Sequence, residues 1–139
     1  MACEEEIVQM KMCVMKIIWM SLFVLLFNLS ASSQNLSIKN LIGKWQAADG
    51  AGLEVIDSSR IFVTYGKERK PILAYTADFS KIPCWFDFIV KDSAQQLSAM
   101  KSLLLLQGND ILKWEVFEDG DRPSDFTAEG DIVILRRKK

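Results

Sequence analysis

The stretch Lys101-Ser102-Leu103-Leu104-Leu105-Leu106-Gln107-Gly108-Asn109-Asp110-Ile111-Leu112-Lys113-Trp114-Glu115-Val116-Phe117 decides the fold. Two apolar runs flank Gln107-Gly108-Asn109-Asp110, a tight hairpin signal. After the turn the pattern alternates. Leu112, Trp114 and Val116 fall on one face, with Lys113, Glu115 and Phe117 on the other. A period of two is the period of a strand. Barrel logic then places Lys113 and Glu115 outside, in water. Before the turn, Leu103 to Leu106 are apolar on both faces, which fits a strand covered on both sides. Upstream, Ser93 to Met100 stays open between two readings. Leu97, Met100 and Leu104 stand near helical spacing, yet a strand from Leu97 to Gln107 also fits. We read a strand from Lys101 onward.

Working outward, the same grammar repeats. Leu41 to Ala48, Leu53 to Ile56, Arg60 to Tyr65, Lys70 to Phe79, Trp85 to Lys91 and Asp131 to Arg137 are short runs rich in β-branched and aromatic residues. Turn residues such as Asp49-Gly50-Ala51-Gly52 and Asp57-Ser58-Ser59 separate them. With the central pair this makes eight strands joined by short turns. The expected fold is all-β, an antiparallel up-and-down barrel over residues 34–139. Such barrels close without exposed edges and can hold one small ligand.

The N-terminus reads differently. Ile17 to Phe27 is apolar and uncharged, Lys11 and Lys16 precede it, and Ser30-Ala31-Ser32-Ser33 follows. That is the pattern of a cleaved signal peptide over residues 1–33, with small residues at the cleavage site. A helix of that apolar run rises only about 16 Å, short of the roughly 30 Å needed to span a bilayer. An uncleaved anchor is the minority alternative. Glu4-Glu5-Glu6 is unusual before such a segment, and Met10, Met12 and Met15 are alternative starts. The expected localisation is secreted or periplasmic, with no membrane contact beyond the signal helix.

Composition excludes several chemistries. The chain has no histidine, which removes Ser-His-Asp and Cys-His catalysis and His-ligated metal sites. After residue 33 only Cys84 remains, so an intramolecular disulfide and a Cys-based zinc site are both excluded. Cys84 lies in Pro83-Cys84-Trp85-Phe86, an apolar setting that suits a buried small hydrophobe. No phosphate-binding loop appears: Gly50-Ala51-Gly52 lacks the following Lys-Ser/Thr. The chain has 17 Lys and Arg and 18 Asp and Glu; two and three of these, respectively, lie before residue 34, so the remainder is neutral. A neutral domain carries no electrostatic footprint for nucleic acid. The ending Arg136-Arg137-Lys138-Lys139 reads as a solvated local cluster. No cofactor and no metal are expected.

Two sets of residues carry a resemblance. Leu41-Ile42-Gly43-Lys44-Trp45, a Gly-x-Trp after a short helical lead-in, resembles the opening of lipocalins. The resemblance implies that Trp45 closes one barrel end and that Arg136 or Arg137 packs over it, Arg136 being taken for that structural role. The ordered set Pro83-Cys84-Trp85-Phe86-Asp87, Gly108-Asn109-Asp110-Ile111-Leu112, Arg122-Pro123-Ser124-Asp125-Phe126 and Leu135-Arg136-Arg137 resembles a family of small bacterial lipocalin-like domains of unknown function. Phe86 stands where that family has an aliphatic residue, and Asn109 separates Gly108 from Asp110. The resemblance implies a fold, and fold does not fix function.

Candidate site residues follow from alternation. Asp87 lies between Phe86 and Phe88 and shares a face with Trp85 and Ile89, so it needs a partner if buried. Arg122 is the obvious one, either as a structural pair or as a polar anchor at the mouth of an apolar cup. Tyr65, Tyr75, Trp85 and Trp114, with Trp45, are candidates to line a cavity or to form plain core. Glu118, Asp119, Asp121 and Asp125 surround Gly120 without the calcium-loop pattern and read as a solvated loop.

Three functions remain. The first is an exported binding module for a small apolar ligand. The second is a structural or protein-interaction β domain without a ligand. The third and weakest is an enzyme using carboxylates such as Asp87 or Glu115, with no catalytic residue assigned. Mass spectrometry of the exported protein is expected to find an N-terminus at Gln34; one at Met1 or Met15 overturns the cleaved-signal reading.

Overall fold

Strict alternation along the central strands builds the core. In the computed structural model residues 36–118 and 120–139 are described, all within the unit Asn35–Lys139. The segment read as a signal peptide lies outside the described residues. A 3-10 turn, Ile38–Leu41, leads into nine strands. These are β1 (Gly43–Gln46), β2 (Ala51–Val55), β3 (Ile61–Tyr65), β4 (Glu68–Pro71), β5 (Ala74–Asp78), β6 (Cys84–Lys91), β7 (Leu97–Gln107), β8 (Ile111–Phe117) and β9 (Val133–Arg137). On β6, Cys84, Phe86, Phe88 and Val90 are buried, and the residues between them are only half so. The cross-strand register aligns these with Leu104 of β7 and Trp114 and Leu112 of β8, then with Leu135 of β9. Trp45, Leu53, Val55 and Ile61 continue the same face on the first strands and join the same packed cluster. Burying a side chain such as Phe86 is worth about 1.5–3 kcal/mol.

The sheet is all-antiparallel and curls into a half-barrel, in the order β4-β3-β2-β1-β9-β8-β7-β6-β5. Nine strands replace the expected eight because the run Lys70 to Phe79 divides. Pro71 has no N–H to give a ladder. Directly after it, Ile72 N–H donates to the Ile61 carbonyl at 2.9 Å and Leu73 N–H donates to the Ile89 carbonyl at 2.8 Å. Two consecutive residues thus pair with opposite ends of the sheet, and the chain crosses from one edge to the other. Tyr75 ties the same region together, its hydroxyl donating to the Ser58 carbonyl at 2.7 Å. The open choice at Ser93 to Met100 resolves to strand from Leu97, since β7 pairs with β6 from Lys91 and Leu97 onward.

First and last strands meet through Trp45 and Arg137, which are register partners. The Arg137 guanidinium lies 4.1 Å from the centre of the Trp45 ring. Its Nε donates to the Asn109 carbonyl at 2.8 Å and its Nη2 to the Asn40 carbonyl at 2.9 Å; Nη1 donates to Ile42. Trp45 Nε1 in turn donates to the Leu41 carbonyl at 2.8 Å. The structural role assigned to Arg136 therefore belongs to Arg137. Alternation is the reason: Arg136 pairs with Gln46 on the outer face and is exposed. Urea denaturation is expected to show Arg137→Ala losing about 2–4 kcal/mol, from the lost cation–π contact and charged hydrogen bonds. Arg136→Ala is expected to stay within about 0.5 kcal/mol of the parent; equal costs would show that the stack does not hold the strands together.

Candidate ligand-binding cleft

Residues between the core positions of β6, β7 and β8 form the outer face. Trp85, Leu103 and Glu115 stand in one row across the three strands. An outer-face leucine would normally meet water, yet Leu103 is 0 % exposed and Glu115 only 2 %. The connection between β8 and β9 covers them. Its Arg122 donates from Nη1 to Asp87 Oδ1 and lies 4.1 Å from the Trp85 ring centre. Its Thr127 donates the backbone N–H to Glu115 Oε2 at 3.0 Å and the hydroxyl to Oε1. Phe126 lies under the Lys113 ammonium, at 4.8 Å. Gly130 packs so tightly that a Cβ there would land on Glu115 Oε1 and Thr127 Oγ1.

Glu115 is thus buried, where it was expected in water. Alternation placed it on the outer face, but only the overlying connection withdraws it from solvent. Two donors from Thr127 satisfy the carboxylate that would otherwise be costly to bury. A hint of this was available in the sequence. Between the runs that end at Glu118 and begin at Asp131 no strand pattern appears, and an ordered connection of that length is uncommon unless it has a role such as a binding loop or a packed Ω-loop.

Sequence-predicted residues divide between faces. Asp87 and Arg122 are brought together; the Arg122 side chain is 10 % exposed and that of Asp87 34 %. Trp85 joins them on the outer face. Tyr75 and Trp114 point the other way: Tyr75 stacks on Phe86 at 5.4 Å and Trp114 on Phe88 at 5.7 Å, ring centre to ring centre. Tyr65 is 63 % exposed at the end of β3. These aromatics therefore line no common cavity, because alternation sends them to different sides of one sheet.

Beside the β8–β9 connection the outer face holds a cleft of about 320 Å³. Its apolar wall comes from Ala74, Ile89, Ala99 and Phe117. Ile89 is flanked in register by Ala74 on β5 and Ala99 on β7. Two small side chains beside a large one leave a recess. Thr76, Asp87, Lys101 and Glu118 add polar groups. The register that pairs Trp85 with Leu103 and Phe88 with Met100 sets Lys101 beside Asp87. Of the residues predicted from sequence, Asp87 and Tyr75 border this cleft; Arg122, Trp85, Tyr65 and Trp114 do not. Ala74, Thr76, Ile89 and Ala99 were missed, since alanines on an exposed face carry no signal until the register aligns them.

Cys84 lies on the inner face, 1 % exposed. Burial pushes its thiol up to about 12, with the nearby Asp78 carboxylate adding to the shift and Arg122 opposing it. Such a thiol stays protonated and is a poor nucleophile. Among the described residues no group of three Cys, Asp or Glu side chains is placed to hold a metal ion. The two carboxylates considered for catalysis are engaged, Asp87 by Arg122 and Glu115 by Thr127. Comparison of the chain with protein-family models, curated proteins and solved structures finds no match.

The Arg122–Asp87 pair anchors the connection, and cutting it strands a largely buried guanidinium. Asp87→Ala is expected to cost about 1–3 kcal/mol, less than a fully buried pair because Asp87 keeps contact with water. Limited proteolysis between 118 and 132 should accelerate in that variant. Unchanged cleavage would mean that the connection is held by other contacts.

Proposed function

We propose that this is an exported, lipocalin-like binding domain for a small, largely apolar ligand, and that the ligand sits in the outer-face cleft rather than inside the barrel. The cleft carries this reading. Its size falls at the lower end of small-molecule sites, and its mix of apolar wall and few polar groups is the usual one. On the inner face, the buried side chains pack on one another in a single cluster. The half-barrel supports a lipocalin-like scaffold in which the sheet is a rigid platform and the β8–β9 connection forms one wall.

Chemistry within the cleft sets the ligand class. An apolar body of modest size would lie on Ile89 between Ala74 and Ala99. A hydroxyl or amide would meet Thr76 and the free edge of Asp87. Asp87 already carries the Arg122 guanidinium and stands beside Lys101, so the charges are largely balanced. Neutral ligands are favoured over ions.

Ala99 is exposed, so filling the recess from that position leaves the core untouched. Ala99→Trp is expected to keep the parent melting temperature and to abolish binding of small neutral apolar probes, read by methyl NMR shifts at Ala74 and Ile89. Binding that survives this substitution would place the ligand elsewhere.

A further inference from the structure

The first four strands carry a second recess, and its chemistry is the opposite of the first. It measures about 270 Å³ and shares no lining residue with the apolar cleft. We propose that this recess on the outer face of β1–β4 binds the oxyanion group of a small ligand, a phosphate ester or a carboxylate, through the free guanidinium fork of Arg69.

Charge is the first argument. Four cations, Lys44, Lys67, Arg69 and Lys138, line the recess with two acids, Glu54 and Glu68. One of those acids is shared: Glu54 lies 3.7 Å from Lys44 and 2.7 Å from Arg69. The local balance is positive in a domain whose residues from 34 onward are neutral overall. Concave walls focus such a field more than a flat stripe of lysines does.

Preorganisation is the second. Arg69 is fixed from two sides. Its Nε donates to Glu54 Oε2 at 2.7 Å, and its guanidinium lies 3.6 Å from the centre of the Phe62 ring. Among the described residues its two Nη groups donate to no protein acceptor. A planar guanidinium held this way presents spare donors in the geometry that matches a carboxylate or phosphate. The partner that orders Arg69 is itself well covered, since the Glu54 side chain is 15 % exposed.

The wall between the cations supplies neutral donors. Gln46, Gly52 and Thr64 stand in one cross-strand row. A Cβ at Gly52 would collide with the Trp45 carbonyl and the Thr64 hydroxyl, so glycine is what lets that hydroxyl occupy its place in the wall. Strand alternation sorts the basic C-terminus into separate roles. Arg137 turns inward over Trp45, while Lys138 N–H donates to the Lys44 carbonyl at 2.8 Å and holds Lys138 at the recess. The size suits a single headgroup rather than a polymer.

The test is an amide NMR titration of the full-length chain with inorganic phosphate, and separately with sodium acetate, at constant ionic strength. Saturable shifts are expected at Gln46, Thr64, Gly66 and Lys138. Arg69→Ala and Lys138→Ala should each weaken the response about tenfold or more, whereas Lys91→Ala on β6 should not. Lys138→Ala removes no side-chain bond within the described residues, so it reports on the site even if Arg69→Ala disturbs β4. Tighter binding of phosphate assigns a phosphate ester, and tighter binding of acetate a carboxylate. Shifts that follow ionic strength without saturating, or a parent-like response in both site variants, overturn the proposal.

Discussion

The stack of Arg137 on Trp45 reinforces the short ladder that joins the two halves of the sheet. β1 to β4 form one meander and β5 to β9 another. Strands β4 and β5 are the two edges, and no ladder joins them. Among the described residues the halves share a ladder only where β1 runs beside β9, and that ladder has two register pairs. So short a pairing is a weak seam by hydrogen bonds alone. One guanidinium strengthens it by binding carbonyls of the N-terminal turn and of the β7–β8 hairpin while covering the indole. Arginine suits this position because its planar fork satisfies several carbonyls and stacks on an aromatic face together; a lysine has neither geometry.

The halves are then finished differently. Across β6 to β8, the row of Trp85, Leu103 and Glu115 is covered by the β8–β9 connection on the face opposite the core. That second layer explains the unbroken leucine run of β7: Leu104 faces the core and Leu103 faces the connection. It also explains a buried glutamate, which two donors from Thr127 satisfy. Among the described residues strands β1 to β4 have no such cover, and Lys44, Gln46, Glu54, Thr64 and Arg69 make their outer face largely polar. One sheet therefore presents a partly apolar cleft on one half and a cationic recess on the other.

Much of the fold was legible. The turn residues and the alternation of Ile111 to Phe117 indicated antiparallel strands in sequence order, and the bilateral apolarity of Leu103 to Leu106 implied a second cover. The pairing of Asp87 with Arg122 could be anticipated from charge alone, because a carboxylate among aromatics demands a partner. Other features could not be read. The division at Pro71 depends on which edge each neighbour meets. The choice between Arg136 and Arg137 depends on a one-residue register, which sends every side chain to the opposite face.

What the sequence by itself determined is local: strand against turn, which residues alternate together, and which chemistries the missing histidine and the single cysteine after residue 33 forbid. These follow from backbone preference and side-chain type, which act over a few residues. What only the tertiary structure decided is which face each stripe meets and what lies across it. Ala74, Ile89 and Ala99 come from three strands, and they form a recess only after register aligns them. Lys44, Arg69 and Lys138 are likewise far apart in the chain and become one cationic wall only when β9 lies beside β1. Sites here are made of cross-strand rows, and a row is a property of the pairing, not of any segment.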